Sequence, residues 1–325
     1  MKKTTLLGLV LLLVGLPAFA CELDRPVRFA GMSWMSNLMM VEIERAIVED
    51  GYGCDTQIEA GDTVPMVAAL VRGDVDIYNE TWIDSAPEDW VKAHEAGIVE
   101  SLGSTYSGGI EGWWIPAYVA EENPGLRSVY DLPKYAELFE DPEEPGMGRI
   151  YNCPEGWVCG AVNNNLLQAF GLDNDYVMFS PGSGAALDAA IESNYRRHRP
   201  FVTYYWSPTA VLGKFEMVQL EMPAYQADGF RCNMSPECET PVASAYPTAR
   251  IHKSINTAFG EDAPELKAFF EQVNIPTDEV NKLLGWADEE GAEPDQVADY
   301  FFEHYEDLWT TWVSDEVAAK VRAAL

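Results

Sequence analysis

The chain has 325 residues, with 53 acidic and 21 basic side chains and a formal net charge of −32 at pH 7. This charge argues against nucleic acid and anionic membranes as partners, because both repel an acidic surface. An apolar content of 47% is ample for a large core and excludes a disordered acidic tail. The field of such a surface attracts cations, although a protein from a saline habitat would have the same surface.

The first 20 residues have the pattern of a secretory signal peptide. Lys2 and Lys3 form a basic region, residues 6–16 an apolar region, and residues 18–20 a small-x-small cleavage site before Cys21. The apolar run is shorter than the ~20 residues that a membrane-spanning helix needs. We therefore predict simple cleavage and a periplasmic protein. A lipid on Cys21 is the less favoured alternative, because the residue three before it is Ala and not the Leu usual in lipoprotein signals.

Six cysteines in an oxidising compartment indicate three disulfides. Two pairs enclose loops of only five residues, which leaves the remaining two cysteines for each other. The predicted bonds are Cys21–Cys54, Cys153–Cys159 and Cys232–Cys238. Zinc is the alternative, disfavoured because the four histidines lie far from the cysteine pairs in sequence. We predict neither a metal nor a cofactor.

The mature chain begins with a βαβαβ pattern. The predicted elements are a strand at 27–30, a helix at 38–50, a strand at 55–59, a helix at 63–72 and a strand at 75–78. This order gives a parallel sheet, whose ligands bind outside the carboxyl ends of the strands. Trp34 and Trp82 both follow such ends.

A strand at 113–119 leads out of this unit, and a second α/β unit begins near Tyr130. Its predicted elements are a strand at 149–151, helices at 161–170 and 184–197, and a strand at 201–205. Trp157 and Trp206 again lie at strand ends. After the Cys232–Cys238 loop the chain is predicted to be mainly helical, over 263–324. Trp286, Trp309 and Trp312 recur there at amphipathic spacing with Phe301, Phe302 and Leu308, and are predicted to be core.

Four of the ten tryptophans lie in short polar or turn-like stretches where a core would not place them: Trp34, Trp82, Trp157 and Trp206. Indole is the best cation–π face among side chains, and desolvated cages of such rings bind quaternary ammonium groups at roughly 2 kcal/mol or more per contact. The set, and no single member, predicts a trap for a methylated ammonium compound.

No catalytic set accompanies these rings. The sequence has no Gly-x-Ser-x-Gly elbow, no phosphate-cradling loop and no His-Glu-x-x-His. An enzyme would need a nucleophile or a redox cofactor site, so we predict a binding protein. The acidic segment Glu140–Glu144 lacks the alternating oxygen ligands of a calcium loop, and whether it binds a cation is left open.

Two motifs resemble the substrate-binding component of glycine betaine/proline betaine ABC transporters: Cys153-Pro-Glu-Gly-Trp-Val-Cys159 with Ala161-Val162-Asn163, and Tyr204-Tyr-Trp-Ser-Pro208. The resemblance covers nearly the whole mature chain. It implies a monomeric α/β periplasmic binding protein of type II, with parallel-sheet lobes around a ligand cleft, and transporter membrane and ATPase subunits as partners. We place lobe 1 at 21–120 plus 240–325 and lobe 2 at 121–239.

The resemblance also implies a set of binding residues. The family's aromatic cage carries over to Trp82, Trp157 and Trp206. Choline- and betaine-binding relatives add a ring from the loop after the first strand, here Trp34. They often add another from the segment that matches Gly112-Trp113-Trp114, which we assign to Trp114 while leaving open which of the two tryptophans faces the cleft.

Two departures from the family bear on the ligand. Betaine binders of this type have a carboxylate-binding His four residues after the Trp at the third strand's end, where this chain has Ala86. Their disulfide loop usually has a small residue or Pro where this chain has Glu155. Losing a donor and gaining an acid both disfavour a carboxylate ligand. Trimethylamine N-oxide is the predicted ligand, since it can share a proton with Glu155. Glycine betaine or choline transport is one alternative, and a sensor without a transporter is another.

Overall fold

The computed structural model of the protein describes residues 21–325. The predicted signal peptide, residues 1–20, lies outside the described residues. The described residues form nine strands, as follows: β1 (Val27–Gly31), β2 (Thr56–Ala60), β3 (Ile77–Trp82), β4 (Val99–Pro116), β5 (Gly148–Tyr151), β6 (Tyr176–Phe179), β7 (Val202–Ser207), β8 (Met217–Gln219) and β9 (Ala249–Asn256).

Helices cover both faces of these strands. They are α1 (Met35–Ala46), α2 (Thr63–Arg72), α3 (Glu88–Glu95), α4 (Ala117–Glu122), α5 (Val158–Ala169), α6 (Gly184–Arg196), α7 (Ala210–Lys214), α8 (Ala227–Asn233), α9 (Thr257–Asp262), α10 (Pro264–Gln272), α11 (Thr277–Glu290), α12 (Pro294–His304), α13 (Glu306–Trp309) and α14 (Asp315–Ala324). Among residues 21–325, none of these helices is long and apolar enough to cross a membrane.

The strands lie in the order β2-β1-β3-β9-β4-β7-β5-β6, with β8 paired to β4. Neighbours β2, β1 and β3 are parallel, as are β7, β5 and β6, whereas β9 and β4 run antiparallel to the strands beside them. The 18-residue β4 pairs with β9 along its first part and with β7 and β8 along its last part. It therefore connects the two parallel groups.

The fold is the predicted α/β type with two lobes. One lobe contains β1–β3 and the C-terminal helices, where Phe29, Phe301 and Trp309 are buried together. The other contains β5–β7, where Ile150, Leu166 and Tyr205 are buried together. The lobe boundaries remain a prediction.

The first five predicted elements all form, and Trp309 and Trp312 are core residues as predicted. The predicted parallel strands form in each lobe, and the antiparallel strands β9 and β4 make each sheet mixed. The predicted helical region over 263–324 also forms, as α10 to α14. The strand β9 that precedes this region was not predicted, because polar residues such as the buried Lys253 hide the strand's apolar alternation.

The three predicted disulfides, Cys21–Cys54, Cys153–Cys159 and Cys232–Cys238, are all present, and none of the six cysteines is free. Thiol titration of the denatured, unreduced protein is therefore expected to detect no reactive thiol. A thiol in the mature protein, or a lipid attached to Cys21 in mass spectrometry, would contradict this assignment.

In the acidic segment Glu140–Glu144, hydrogen bonds from nearby residues hold the one buried carboxylate. Asp141 is buried and accepts hydrogen bonds from the backbone N–H groups of Glu143 and Glu144 and from the Arg149 guanidinium. Its carboxylate oxygens thus already have partners, which explains why an acid is buried there. Within residues 21–325, no three His, Cys, Asp or Glu side chains converge in a way that could hold a metal ion.

Candidate ligand-binding site

A small cavity lies between the two lobes. Its volume is about 60 Å³, several times the ~10–15 Å³ that one water molecule requires. Four of the six predicted binding residues line it, namely Trp34, Trp82, Trp157 and Trp206. The other lining residues are Thr63, Val67, Tyr78, Thr81, Ser85, Ala86, Pro87, Glu111, Val158, Cys159, Val162, Tyr204 and Tyr246. Such walls, mostly aromatic and apolar, suit one small compact group.

Each of the four indoles is placed by the end of a regular element. Trp34 is the N-cap of α1, three residues after the end of β1, and Trp157 is the N-cap of α5. Trp82 is the last residue of β3, and Trp206 is the last but one of β7. Because ligands of α/β sheets bind outside the carboxyl ends of strands, these ends bring the four rings to one cavity.

The rings stand at steep angles to one another. Trp157 meets Trp34 with 4.8 Å between ring centroids and 73° between planes, and it meets Trp206 at 5.1 Å and 77°. These are favourable edge-to-face contacts. Trp157 is therefore the central ring, and the neighbouring faces form two sides of a box that can surround a compact cation.

The buried Glu80 and the half-buried Asp62 accept hydrogen bonds from the N–H groups of two of the rings. The indole N–H of Trp82 donates to Glu80 at 3.3 Å, and that of Trp157 donates to Asp62 at 2.9 Å. Burial raises the pKa of Glu80, which has 1% of its surface exposed. Gly109 makes room for Trp82, since a Cβ there would lie 2.7 Å from the ring. These contacts set the orientations of both rings when the lobes are together.

A carboxyl group shares the cavity with the rings. Glu111 comes from β4, opposite Trp206 of β7, and is 8% exposed. Its carboxyl oxygens accept hydrogen bonds from the Tyr204 hydroxyl at 2.7 Å and from the Ser85 hydroxyl at 3.3 Å. Burial raises the pKa of Glu111 to about 7, against the lowering effect of these two bonds. The group therefore changes charge near neutral pH.

The start of α5 provides the other polar surface. Val158 and Cys159 are the first two residues of this helix and line the cavity. A helix N-terminus has unsatisfied N–H groups and partial positive charge, so it favours an oxygen atom or an anion. Ala86, where the family resemblance implies a His in betaine binders, offers only a methyl group to the cavity.

Two predicted site residues do not reach this cavity. Glu155 is exposed and lines a wider groove outside it, because Gly156 (φ 92°) turns the backbone between Glu155 and Trp157. Trp114 is half-buried in its lobe, where its N–H donates to the Tyr205 carbonyl at 3.2 Å. Trp113 is fully buried and does not face the cavity either. The structure thus places Glu155 and Trp114 outside the cavity.

The sequence reasoning missed Glu111, Tyr204 and Tyr246. Glu111 had a usable signal, because it is an acid within the apolar run 110–115 that forms a strand. Tyr204 stands in the motif that contains Trp206, but nothing in that motif shows which of its rings point to the cleft. Tyr246 lies in an irregular segment before β9 and had no sequence signal.

The family described as "Substrate binding domain of ABC-type glycine betaine transport system" matches residues 25–304. The chain belongs to this family. It is thus a substrate-binding protein of ABC transport, a class that binds small molecules and works with membrane components of a transporter, and is not an enzyme class.

Individual relatives agree with this membership. The glycine betaine/proline betaine-binding periplasmic protein of Escherichia coli (strain K12) is 23% identical over 287 residues, or 86% of either chain. A glycine betaine, L-proline ABC transporter binding protein from Borrelia burgdorferi has a TM-score of 0.73 at 18% identity, covering 91% of this chain and 100% of its own. A choline-binding protein in complex with choline has a TM-score of 0.75 at 17% identity, covering 92% and 97%. At these identities the structures show the shared fold alone.

Proposed function

We propose that this protein binds trimethylamine N-oxide in the periplasm and delivers it to an ABC importer. The rings of Trp34, Trp82, Trp157 and Trp206 surround the trimethylated nitrogen, whose positive charge faces their π-systems. The N-oxide oxygen faces Glu111 and the start of α5. The observation that carries the proposal is the buried Glu111 carboxyl inside the ring-lined cavity.

The charge state of Glu111 gives the candidate ligands different expected affinities. With a pKa of about 7, the neutral carboxyl donates a hydrogen bond to an N-oxide oxygen without placing two anions together. Glycine betaine has a permanent carboxylate, which meets Glu111 as a like charge unless the pair takes up a proton. Ala86 offers no donor that would offset this repulsion. Choline is the second candidate, because ionised Glu111 attracts its positive charge and accepts a hydrogen bond from its hydroxyl group.

Isothermal titration calorimetry against trimethylamine N-oxide, glycine betaine, choline and carnitine tests the proposal. At pH 6.5 we expect trimethylamine N-oxide to bind most tightly, because most Glu111 side chains are then protonated. Equal or tighter binding of glycine betaine would contradict the proposal and favour betaine transport. Co-encoded membrane and ATPase subunits would distinguish an importer from a sensor.

A further inference from the structure

Two hydrogen bonds join the lobes beside the ring cage. The indole N–H of Trp157 donates to Asp62 Oδ1 at 2.9 Å, and the backbone N–H of Val64 donates to the Gly156 carbonyl at 3.0 Å. Asp62 and Val64 lie between β2 and β3 in one lobe, whereas Gly156 and Trp157 precede α5 in the other. Both bonds exist only while the lobes are together.

The start of α2 is built for this contact. Asp62 is its N-cap, a position where Asp ordinarily accepts hydrogen bonds from the helix's own first N–H groups. Here its side chain makes no capping bond and accepts instead from Trp157 and, at 2.9 Å, from the Ser33 hydroxyl. Val64 gives its N–H to the other lobe, and Pro65 has none to give. The Asp62 side chain and the Val64 N–H therefore form hydrogen bonds with the other lobe and not within α2.

Gly156 allows the close approach on the opposite side. Its φ of 92° is in the region that side chains disfavour, and a Cβ there would lie 3.1 Å from the Cβ of Asp62. The backbone of one lobe thus packs directly on the side chain of the other. A contact this close, with two hydrogen bonds, fixes the ring of Trp157 relative to α2.

We propose that Asp62 is a positioning residue that holds Trp157 over the bound ligand and so controls how slowly the ligand leaves. The inference rests on the proposed function, because it takes Trp157 as a wall of the ligand cage. In the open protein the Asp62 carboxylate can turn back to its own helix and accept the Val64 N–H. Closure then replaces one set of hydrogen bonds by another. The balance between the open and closed states therefore depends on whether the ligand is bound.

Stopped-flow tryptophan fluorescence with trimethylamine N-oxide, and separately with glycine betaine and choline, tests the role of Asp62. Asp62→Ala is expected to raise the dissociation rate about tenfold to hundredfold, the range for losing a hydrogen bond to a charged group. The association rate should change less than about threefold, because encounter precedes closure. Asp62→Asn keeps an acceptor oxygen and a good N-cap, so its dissociation should rise only about threefold to tenfold. The matched control is Asp295→Ala, which removes an exposed acid at the start of α12.

A double-mutant cycle separates this role from a structural one. Trp157→Phe keeps a ring and removes the N–H, so Asp62→Ala in that background should change the dissociation rate less than about threefold. Additive effects would overturn the proposal. If the wild type binds none of the three compounds, the proposed function fails, and the contact is then tested by hydrogen exchange of the Trp157 indole N–H without ligand. Faster exchange of this N–H in Asp62→Ala than in wild type would support the contact, and equal exchange would overturn it.

Discussion

At pH 8 the Glu111→Gln variant is expected to bind glycine betaine about tenfold or more tightly than the wild type does. In the wild type, a ligand carboxylate enters a cavity whose own carboxyl group is mostly ionised at that pH, since burial places the pKa of Glu111 at about 7. Removing a like charge at close range recovers at least the ~1.4 kcal/mol that corresponds to a tenfold change in affinity. Calorimetry on the two proteins measures the difference directly.

Two ligands should respond to pH in opposite directions in the wild type. Trimethylamine N-oxide accepts a hydrogen bond from neutral Glu111, so its affinity should fall as pH rises from 6 to 9 through the pKa of about 7. Choline has a fixed positive charge that ionised Glu111 attracts, so its affinity should rise over the same range. Gln has no charge to lose, and both profiles should be flat in Glu111→Gln.

Glu155→Gln is the matched control, because it makes the same chemical change on an exposed side chain outside the cavity. It should leave all four affinities within about twofold of wild type. The Glu111 assignment fails if Glu155→Gln reproduces the betaine gain, or if the pH profile of the N-oxide persists in Glu111→Gln.

The melting temperatures of the ligand-free proteins provide a second test of the raised pKa of Glu111. Folded Glu111 holds its proton up to about pH 7, whereas the unfolded chain releases it near 4.5. Between these values the unfolded state binds fewer protons, so this group's contribution to stability falls as pH rises. Glu111→Gln removes the cost of a buried ionised carboxyl, and its melting temperature should exceed that of wild type at pH 8 more than at pH 5.

The four indoles that line the cavity could be predicted from the sequence, because their positions depend on where single strands end and single helices begin. A strand that ends, or a helix that begins, is visible in the apolar pattern, and the carboxyl ends of parallel strands meet at one edge. Trp34 and Trp82 could therefore be placed together from the βαβαβ pattern alone. The disulfides were equally local, since two of the three enclose only five residues.

The direction of individual side chains could not be read in the same way. Glu155 is only two residues from Trp157, yet the positive φ of Gly156 sends it to the surface. Glu111 reaches the cavity because β4 pairs with β7 in the register that sets it opposite Trp206. That register joins residues 95 positions apart, and no periodicity within either strand determines it. The hydrogen bond of Asp62 could not be predicted for the same reason, because its partner Trp157 belongs to the other lobe.

Replacing Trp82, Trp157 or Trp206 by Ala is expected to weaken binding by roughly 2–4 kcal/mol each, or about 30-fold to several hundredfold. Each change removes a cation–π face and opens a wall that excludes water. Trp157→Ala should cost most, because this ring touches two others and also donates to Asp62 across the cleft.

Phe substitutions should recover part of each loss, since Phe keeps a weaker ring face. The recovery should be smallest at Trp157, where Phe cannot replace the N–H bonded to Asp62. Trp286→Ala is the matched control: this indole is half-buried in α11, stacks on Tyr300 at 4.0 Å and does not line the cavity. Trp114→Ala should likewise bind within a few-fold of wild type. The cage is misplaced if the three cavity variants bind as tightly as these two, because affinity would then not depend on the rings that surround the cavity.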